Sequence, residues 1–439
     1  MFRHRQKTAF LIGISCLRPT VVPSFLIAPT PTPTLITRRQ LTLLFPSLWF
    51  PSVLPSTEFL GRPKLKRNMA TTQYSSDNPI HAAQWLLESV YGPVEDPQFP
   101  KPMPSDEAGL CHDGLQRRYL WTDAFGVLAY LSLADQLEQQ QTPEKAETYR
   151  AAAHRLIHVV HDCLGQPRSD TDKTMQMTKD MASPNGNVGL RIGKAHHRQV
   201  TDAGMSYDGQ YWHYIDKWLL ALSRAGRVED GCRIGKSVFP YFFDAGPNGD
   251  GSQGGIRWKL SVDATPPPSL QRAYASDDTL VALIVFSILE RQRQNKDSST
   301  VIPSLAPEIA MLEKSLEFYK PRVTDDPLGW GLEALYDQFL QGHPRRQALH
   351  SLHQRALHPS HFSLPFRLYG AMIGARIAGK EVAPTSMVND LIVQSLEYQA
   401  GAIQRGYEEH STINRVMLAT VLLCPGQLGK QPKDPLIEL

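Results

Sequence analysis

The chain has few cysteines, and none of them is spaced as a metal or redox motif. The five in 439 residues (Cys16, Cys111, Cys163, Cys232, Cys424) are scattered, odd in number and lack any CxxC pair. That pattern predicts reduced thiols in a reducing compartment rather than a disulfide framework. No run of about 18 apolar residues is free of Pro, polar or charged interruptions, which argues against a bilayer-spanning helix. There is no GxSxG elbow and no HExxH zinc motif. Strand-like alternation is scarce, and no fixed-length repeat is present, which disfavours an open solenoid. His154, His158, His161 and Cys163 could share a helix face, but solvated or partly buried helix histidines account for them. The reading therefore expects no metal and no cofactor.

Charge is unevenly distributed. The chain carries 46 basic and 43 acidic residues, yet residues 1–68 hold ten Lys/Arg against a single acid, Glu58. The remainder is mildly acidic, which argues against nucleic acid as a partner. The basic, Ser/Thr-rich and Pro-rich opening reads as a disordered leader, with three explanations. Translation starting at Met69 makes the protein cytoplasmic; a transit peptide makes it mitochondrial; a secretory signal is the third option. Residues 69–439 are expected to form one domain.

From residue 79 the apolar period is helical. Helices are expected near 81–90, 115–137, 142–165, 210–226, 228–241, 277–293, 306–320, 330–342, 345–357, 364–379, 386–403 and 411–423. Some twelve helices joined mostly by short links are what six helical hairpins need, so the expected fold is all-α, an (α/α)6 toroid. Two links are long, Gly165 to Gly209 and Ala245 to Ser276, and both end in aromatic, acidic and glycine residues. Long connections of this kind are usually functional.

Five segments combine aromatics with acids. In Arg117–Gly126, Asp123 is either a buried partner of Arg117 or Arg118 or a reacting carboxyl beside Trp121. In Ser206–Tyr214, Asp208 either caps a helix or acts as an acid flanked by Tyr207, Tyr211, Trp212 and His213. The glycine-rich segment around Gly254 matches neither a P-loop nor a dinucleotide fingerprint and is read as a loop carrying Arg257 and Trp258 to a ligand. Asp277 and Asp278 open the next helix, with capping as the default role. Glu408, followed by Glu409 and His410, is either solvated helix-entry charge or an acid tuned by a like neighbour. His361 and Trp330 add polar and aromatic contacts. Aromatic platforms with acids suit a saccharide or other polyhydroxylated small molecule, whose ring faces stack while its hydroxyls bond at the edge.

Trp121-Thr122-Asp123-Ala124-Phe125-Gly126, Tyr207-Asp208-Gly209-Gln210-Tyr211-Trp212, Gly255-Ile256-Arg257-Trp258 and Glu408-Glu409-His410, in an all-helical chain, resemble the six-hairpin glycosidase superfamily over roughly residues 80–425. The resemblance implies a cleft at one end of the toroid, where paired carboxylates act on glycosidic bonds. The catalytic acids of no single hydrolase family align with it residue by residue. The candidate carboxylates are Asp123, Asp208, Asp278 and Glu408, with Asp208 as acid and Glu408 as its partner. A separation of about 6.5–9.5 Å between the working pair implies inversion, and about 5–5.5 Å retention. A sugar epimerase using His213, His361 and His410, or a non-catalytic carbohydrate- or protein-binding toroid, are the alternatives.

Overall fold

A computed structural model describes residues 78–169, 179–195, 207–267, 276–296, 301–430 and 437. The expected leader, residues 1–68, lies outside the described residues. Among the described residues twelve α-helices dominate: α1 (Pro79–Tyr91), α2 (Leu120–Gln139), α3 (Pro143–Leu164), α4 (Trp212–Arg224), α5 (Val228–Phe242), α6 (Ser276–Gln294), α7 (Ala306–Leu316), α8 (Pro327–Asp337), α9 (Arg346–Ala356), α10 (Pro365–Ala378), α11 (Thr385–Arg405) and α12 (Ser411–Leu423). The chain is all-α in class. No helix among the described residues is long and apolar enough to cross a membrane.

Local chemistry explains most boundaries. Asn78 caps α1 by accepting the His81 N–H, and Pro79 follows where a missing N–H does no harm. Asp326 caps α8 in the same way through the Gly329 N–H, ahead of Pro327. That cap starts α8 three residues earlier than its apolar pattern suggests. α2 begins later than expected, at Leu120, because Leu110 and Arg117 form an isolated antiparallel bridge that keeps the preceding segment extended.

The helices alternate in character along the chain. In α2 every residue from Leu120 to Ala134 is buried, and α8 is buried throughout except at Leu328. α4, α10 and α12 are similarly enclosed. The intervening helices bury one stripe only. α9 hides Leu349, His353 and Ala356, and α11 hides Val388, Leu391, Ile392, Ser395, Leu396, Gln399 and Ala402. A helix apolar all round must be covered on all sides, whereas a striped one has a face for water.

Packing follows that alternation. α2 packs on α4, α4 on α6, α8 on α10, α10 on α12, and α12 returns to α2. The striped helices lie against these: α3 on α2, α5 on α4 and α6, α7 on α6, α9 on α8, α11 on α10 and α12, and α1 on α12. α8 and α10 meet backbone to backbone, since a Cβ on Gly331 would lie 2.0 Å from the Gly370 carbonyl oxygen. Glycine inside a helix costs about 1 kcal/mol relative to alanine, and the close contact it permits offsets that.

The two long links are partly described, and two short antiparallel pairs tie the second one to the start of α4 and the end of α5. β1 (Gln210–Tyr211) pairs with β4 (Lys259–Leu260), and β2 (Phe243–Asp244) with β3 (Gly255–Ile256). A disulfide joins the segment before α2 to the end of α3. It links Cys111 and Cys163, with Cα atoms 4.8 Å apart, while Cys232 and Cys424 are free and buried. The expectation of reduced thiols is corrected for this pair. A loop residue and the end of α3, 52 positions apart, are brought together by folding rather than by any sequence motif.

Candidate functional site

A narrow cleft opens where α4, α6 and α8 approach one another, with about 330 Å³ of empty space that includes the open solvent at its mouth. Its lining comes from one stripe of each helix. α4 gives His213, Asp216 and Lys217; α6 gives Asp277, Asp278 and Val281; α8 gives Leu332, Glu333 and Tyr336. Residues three and four apart share a helix face, so each helix presents a single row to the space between them. Arg345, on the link from α8 to α9, completes the wall. Asp277 and Asp278 stand in the first turn of α6, where the helix dipole favours negative charge.

The lining is dense in charge. Lys217 donates to Asp216, with both side chains almost fully buried, and its ammonium lies 4.9 Å from the Tyr336 ring centre and 5.8 Å from that of Trp121. Tyr319 donates its hydroxyl to Asp277 at 2.8 Å, and burial together with that carboxylate holds the phenol above its ordinary range. Glu333 accepts the Thr324 main-chain N–H at 3.0 Å. The main-chain N–H of Arg345 donates to Asp337 at 3.1 Å, and its Nε lies 3.8 Å from the same carboxylate. Arg345 Nε, Arg345 Nη2 and Tyr336 Oη are buried and have no hydrogen-bond partner. Burial, followed by the charges of Asp216 and Asp278, raises the Tyr336 phenol well above its usual range, so it keeps its proton. Several carboxylates from different helices facing one space are equipped for proton transfer, while Arg345 and Tyr336 offer donors to an oxygen-bearing ligand.

Of the four carboxylates expected from sequence, only Asp278 lines this cavity. Asp123 is fully buried and forms a two-pronged pair with Arg118, at 3.0 Å to Nε and 2.7 Å to Nη2. Burial raises its pKa while Arg118 pulls the other way. Asp208 is a structural hub. Its Oδ2 meets Arg191 at 2.9 Å and Arg168 at 3.7 Å, and its Oδ1 accepts the N–H groups of Gly193 and Gly209 at 2.8 and 3.1 Å. Glu408 accepts from Gln399 and Asn414 at 2.8 Å each; burial raises its pKa against those two bonds. Asp208 and Glu408 do not line this cavity, and each is held by its own neighbours.

The aromatic expectations divide in the same way. His213 lines the cavity, in ring contact with Trp121, Tyr211 and Tyr214. Trp121 is buried behind it. Tyr211 is also buried, donates to the Tyr207 carbonyl at 3.1 Å and packs on Trp258. Lys259 lies over both Tyr207 and Tyr211. Trp212 and Trp330, expected as ligand platforms, are fully buried. The first packs on Phe242 and Phe286, and the second donates its indole N–H to the Leu349 carbonyl. Arg257 pairs with Asp244 at 2.8 Å and donates to the Tyr241 carbonyl. His361 Nε2 lies 3.0 Å from the Arg355 carbonyl, and the His410 ring meets Phe366. Neither histidine lines the cavity with His213.

Asp216, Lys217, Asp277, Glu333, Tyr336 and Arg345 were not singled out as reacting or ligand-binding groups from sequence. One signal was available. Asp216, Lys217 and Glu333 sit within helices apolar enough to be enclosed, and a charge there needs a partner or a purpose. Among the described residues no group of three or more His, Cys, Asp and Glu side chains is placed to hold a metal ion. Compared with protein-family models, curated proteins and solved structures, the chain matches none.

Proposed function

We propose that this chain is a carbohydrate-active enzyme of the six-hairpin glycosidase type, a glycoside hydrolase whose reaction takes place in the cavity between α4, α6 and α8. The observation that carries the reading is a set of carboxylates contributed by different helices to one space that also holds unmet hydrogen-bond donors. The fold supports it. The enclosed helices α2, α4, α8, α10 and α12 alternating with striped ones, in contact as α2–α4–α6 and α8–α10–α12–α2, fit an (α/α)6 toroid, and the cavity lies where α6 and α8 would close the ring.

Hydrolysis of a glycosidic bond takes two carboxyl groups, one donating a proton to the leaving oxygen and one activating water or attacking the anomeric carbon. We assign Asp278 and Glu333 as that pair. They come from α6 and α8 and so approach a ligand from different walls, whereas Asp277 neighbours Asp278 on one helix and Asp216 is matched by Lys217. The half-buried His213 ring supplies a flat surface for a sugar. The partner is a saccharide or similar polyhydroxylated molecule, and neither nucleic acid nor a membrane has a part in this reading.

The test is a panel of oligosaccharides incubated with the full chain, with reducing ends measured as they appear. Asp278→Asn and Glu333→Gln should each lower turnover by about 10²-fold or more while binding persists. Binding without turnover in the unaltered protein would instead favour a carbohydrate-binding role. Turnover unchanged in both variants would sink the assignment.

A further inference from the structure

We propose that Arg345 and Tyr336 form a subsite for neighbouring uncharged oxygens of the ligand, and that this pair selects neutral sugars over their uronate counterparts. The proposal rests on the saccharide reading above and narrows its substrate class. Both side chains line the cavity and both are 1% exposed. Nε and Nη2 lie on one edge of the planar guanidinium, a fork that receives two oxygens side by side. Neither nitrogen has a hydrogen-bond partner, although Nε faces the Asp337 carboxylate at 3.8 Å, and the Tyr336 hydroxyl has none either. Buried donors are nearly always satisfied in folded proteins, so three unmet ones on a single cavity mark where acceptors are supplied from outside. Two adjacent hydroxyls of a sugar ring supply them, with the phenol bonding to one of the pair or to the ring oxygen.

A guanidinium fork also suits a carboxylate, and two features argue against one here. Asp337 is buried, accepts the Arg345 main-chain N–H and lies 3.8 Å from Nε, so Arg345 already has its counter-charge. Beyond the Asp216–Lys217 pair, Asp277, Asp278 and Glu333 line the same space, so an acidic ligand would enter among like charges. A neutral oxygen uses the same donors without that repulsion. Tyr336, whose phenol keeps its proton, donates across the usable pH range.

The experiment is calorimetric titration of the full chain with methyl glycosides of glucose, galactose and mannose, each beside the corresponding uronide. The neutral member of at least one pair should bind, and its uronide should bind at least tenfold more weakly. Tyr336→Phe, which removes only the hydroxyl, should weaken the neutral ligand by about tenfold with an unchanged circular dichroism spectrum. Arg345→Lys should weaken it further, because an ammonium cannot reproduce the fork. If Arg345→Lys does not fold, Tyr336→Phe alone decides. Equal or tighter binding of the uronide overturns the proposal, as does wild-type affinity in Tyr336→Phe; in either case the saccharide reading still stands. Failure of every sugar to bind removes the saccharide reading and this subsite with it.

Discussion

Arg191 Nη1 meets Asp208 Oδ2 at 2.9 Å, with both side chains sealed from solvent. The same guanidinium also donates to the carbonyls of Gln166, Leu110 and Cys163, so one ion pair ties the segment before α2, the end of α3 and the entry to β1 together. Asp208 therefore holds the chain that leads into α4 and its cavity-lining residues. Removing one partner of a buried pair strands the other charge. Asp208→Ala should cost about 3–5 kcal/mol of stability, read from urea unfolding. If the variant unfolds at the wild-type midpoint yet loses turnover, Asp208 acts in the chemistry and this structural role is wrong.

The Cys111–Cys163 bridge lies beside that same hub. It closes 52 positions of chain, for which the loop-entropy relation gives about 4 kcal/mol of stabilisation at 25 °C. Adding dithiothreitol, or substituting both residues by serine, should lower the unfolding midpoint without changing the helical signal of the native state. An identical midpoint with and without reductant would mean the bridge contributes nothing.

How much of this was legible in the sequence depends on the range of the interaction concerned. Helix positions were, because the apolar period is local: α12 coincides with the expected 411–423, and α3 differs by one residue at each end. The start of α2 was not, because the bridge from Leu110 to Arg117 is a pairing across a turn that no helical period reports. Leu115, counted as part of the apolar stripe, is 75% exposed. Of the cavity-lining residues, His213 and Asp278 stand out in the sequence, since each lies near a helix start beside aromatics or acids. Glu333, Tyr336 and Arg345 were passed over. Whether a carboxylate faces an ion pair or a cavity depends on how α4, α6 and α8 meet, and that is fixed by contacts far apart in sequence. Asp123 illustrates the converse: its partner, Arg118, was named among the possibilities, and the pair forms.

His161, on α3, should give the protein an acid-side weakness of its own. Its Nε2 accepts the Trp218 indole N–H at 3.1 Å, which requires the neutral ring. Burial, then the nearby charges of Arg227 and His158, lowers its pKa to about 3 from about 6.5 in the unfolded chain. Between those values the unfolded state binds a proton that the folded state refuses, so this contribution is intact above pH 6.5 and is lost as pH falls towards 3. The full loss is on the order of 5 kcal/mol. His161→Gln, which keeps an acceptor for Trp218, should flatten the stability slope across that window relative to wild type. Parallel slopes for the two proteins would show that His161 does not titrate on unfolding.

Asp216 and Lys217 permit a separation of electrostatic support from chemistry at the site. They are adjacent on α4, hydrogen-bonded to each other and 1% and 2% exposed. Lys217 also rests on the faces of Tyr336 and Trp121, so it ties the α4 wall to the α8 wall and to the start of α2. Lys217→Met leaves a buried carboxylate without this partner and should cost about 3–5 kcal/mol, as should Asp216→Asn less the hydrogen bonds the amide retains. The double variant removes both charges and should be less destabilised than the sum of the singles, with a coupling of about 1–3 kcal/mol in urea unfolding. If Asp278 and Glu333 carry the reaction, the double variant should keep measurable turnover once folded. Complete loss of turnover in a stable double variant would move Asp216 from supporting the cavity to acting in it, and would displace Asp278 or Glu333 from the assigned pair.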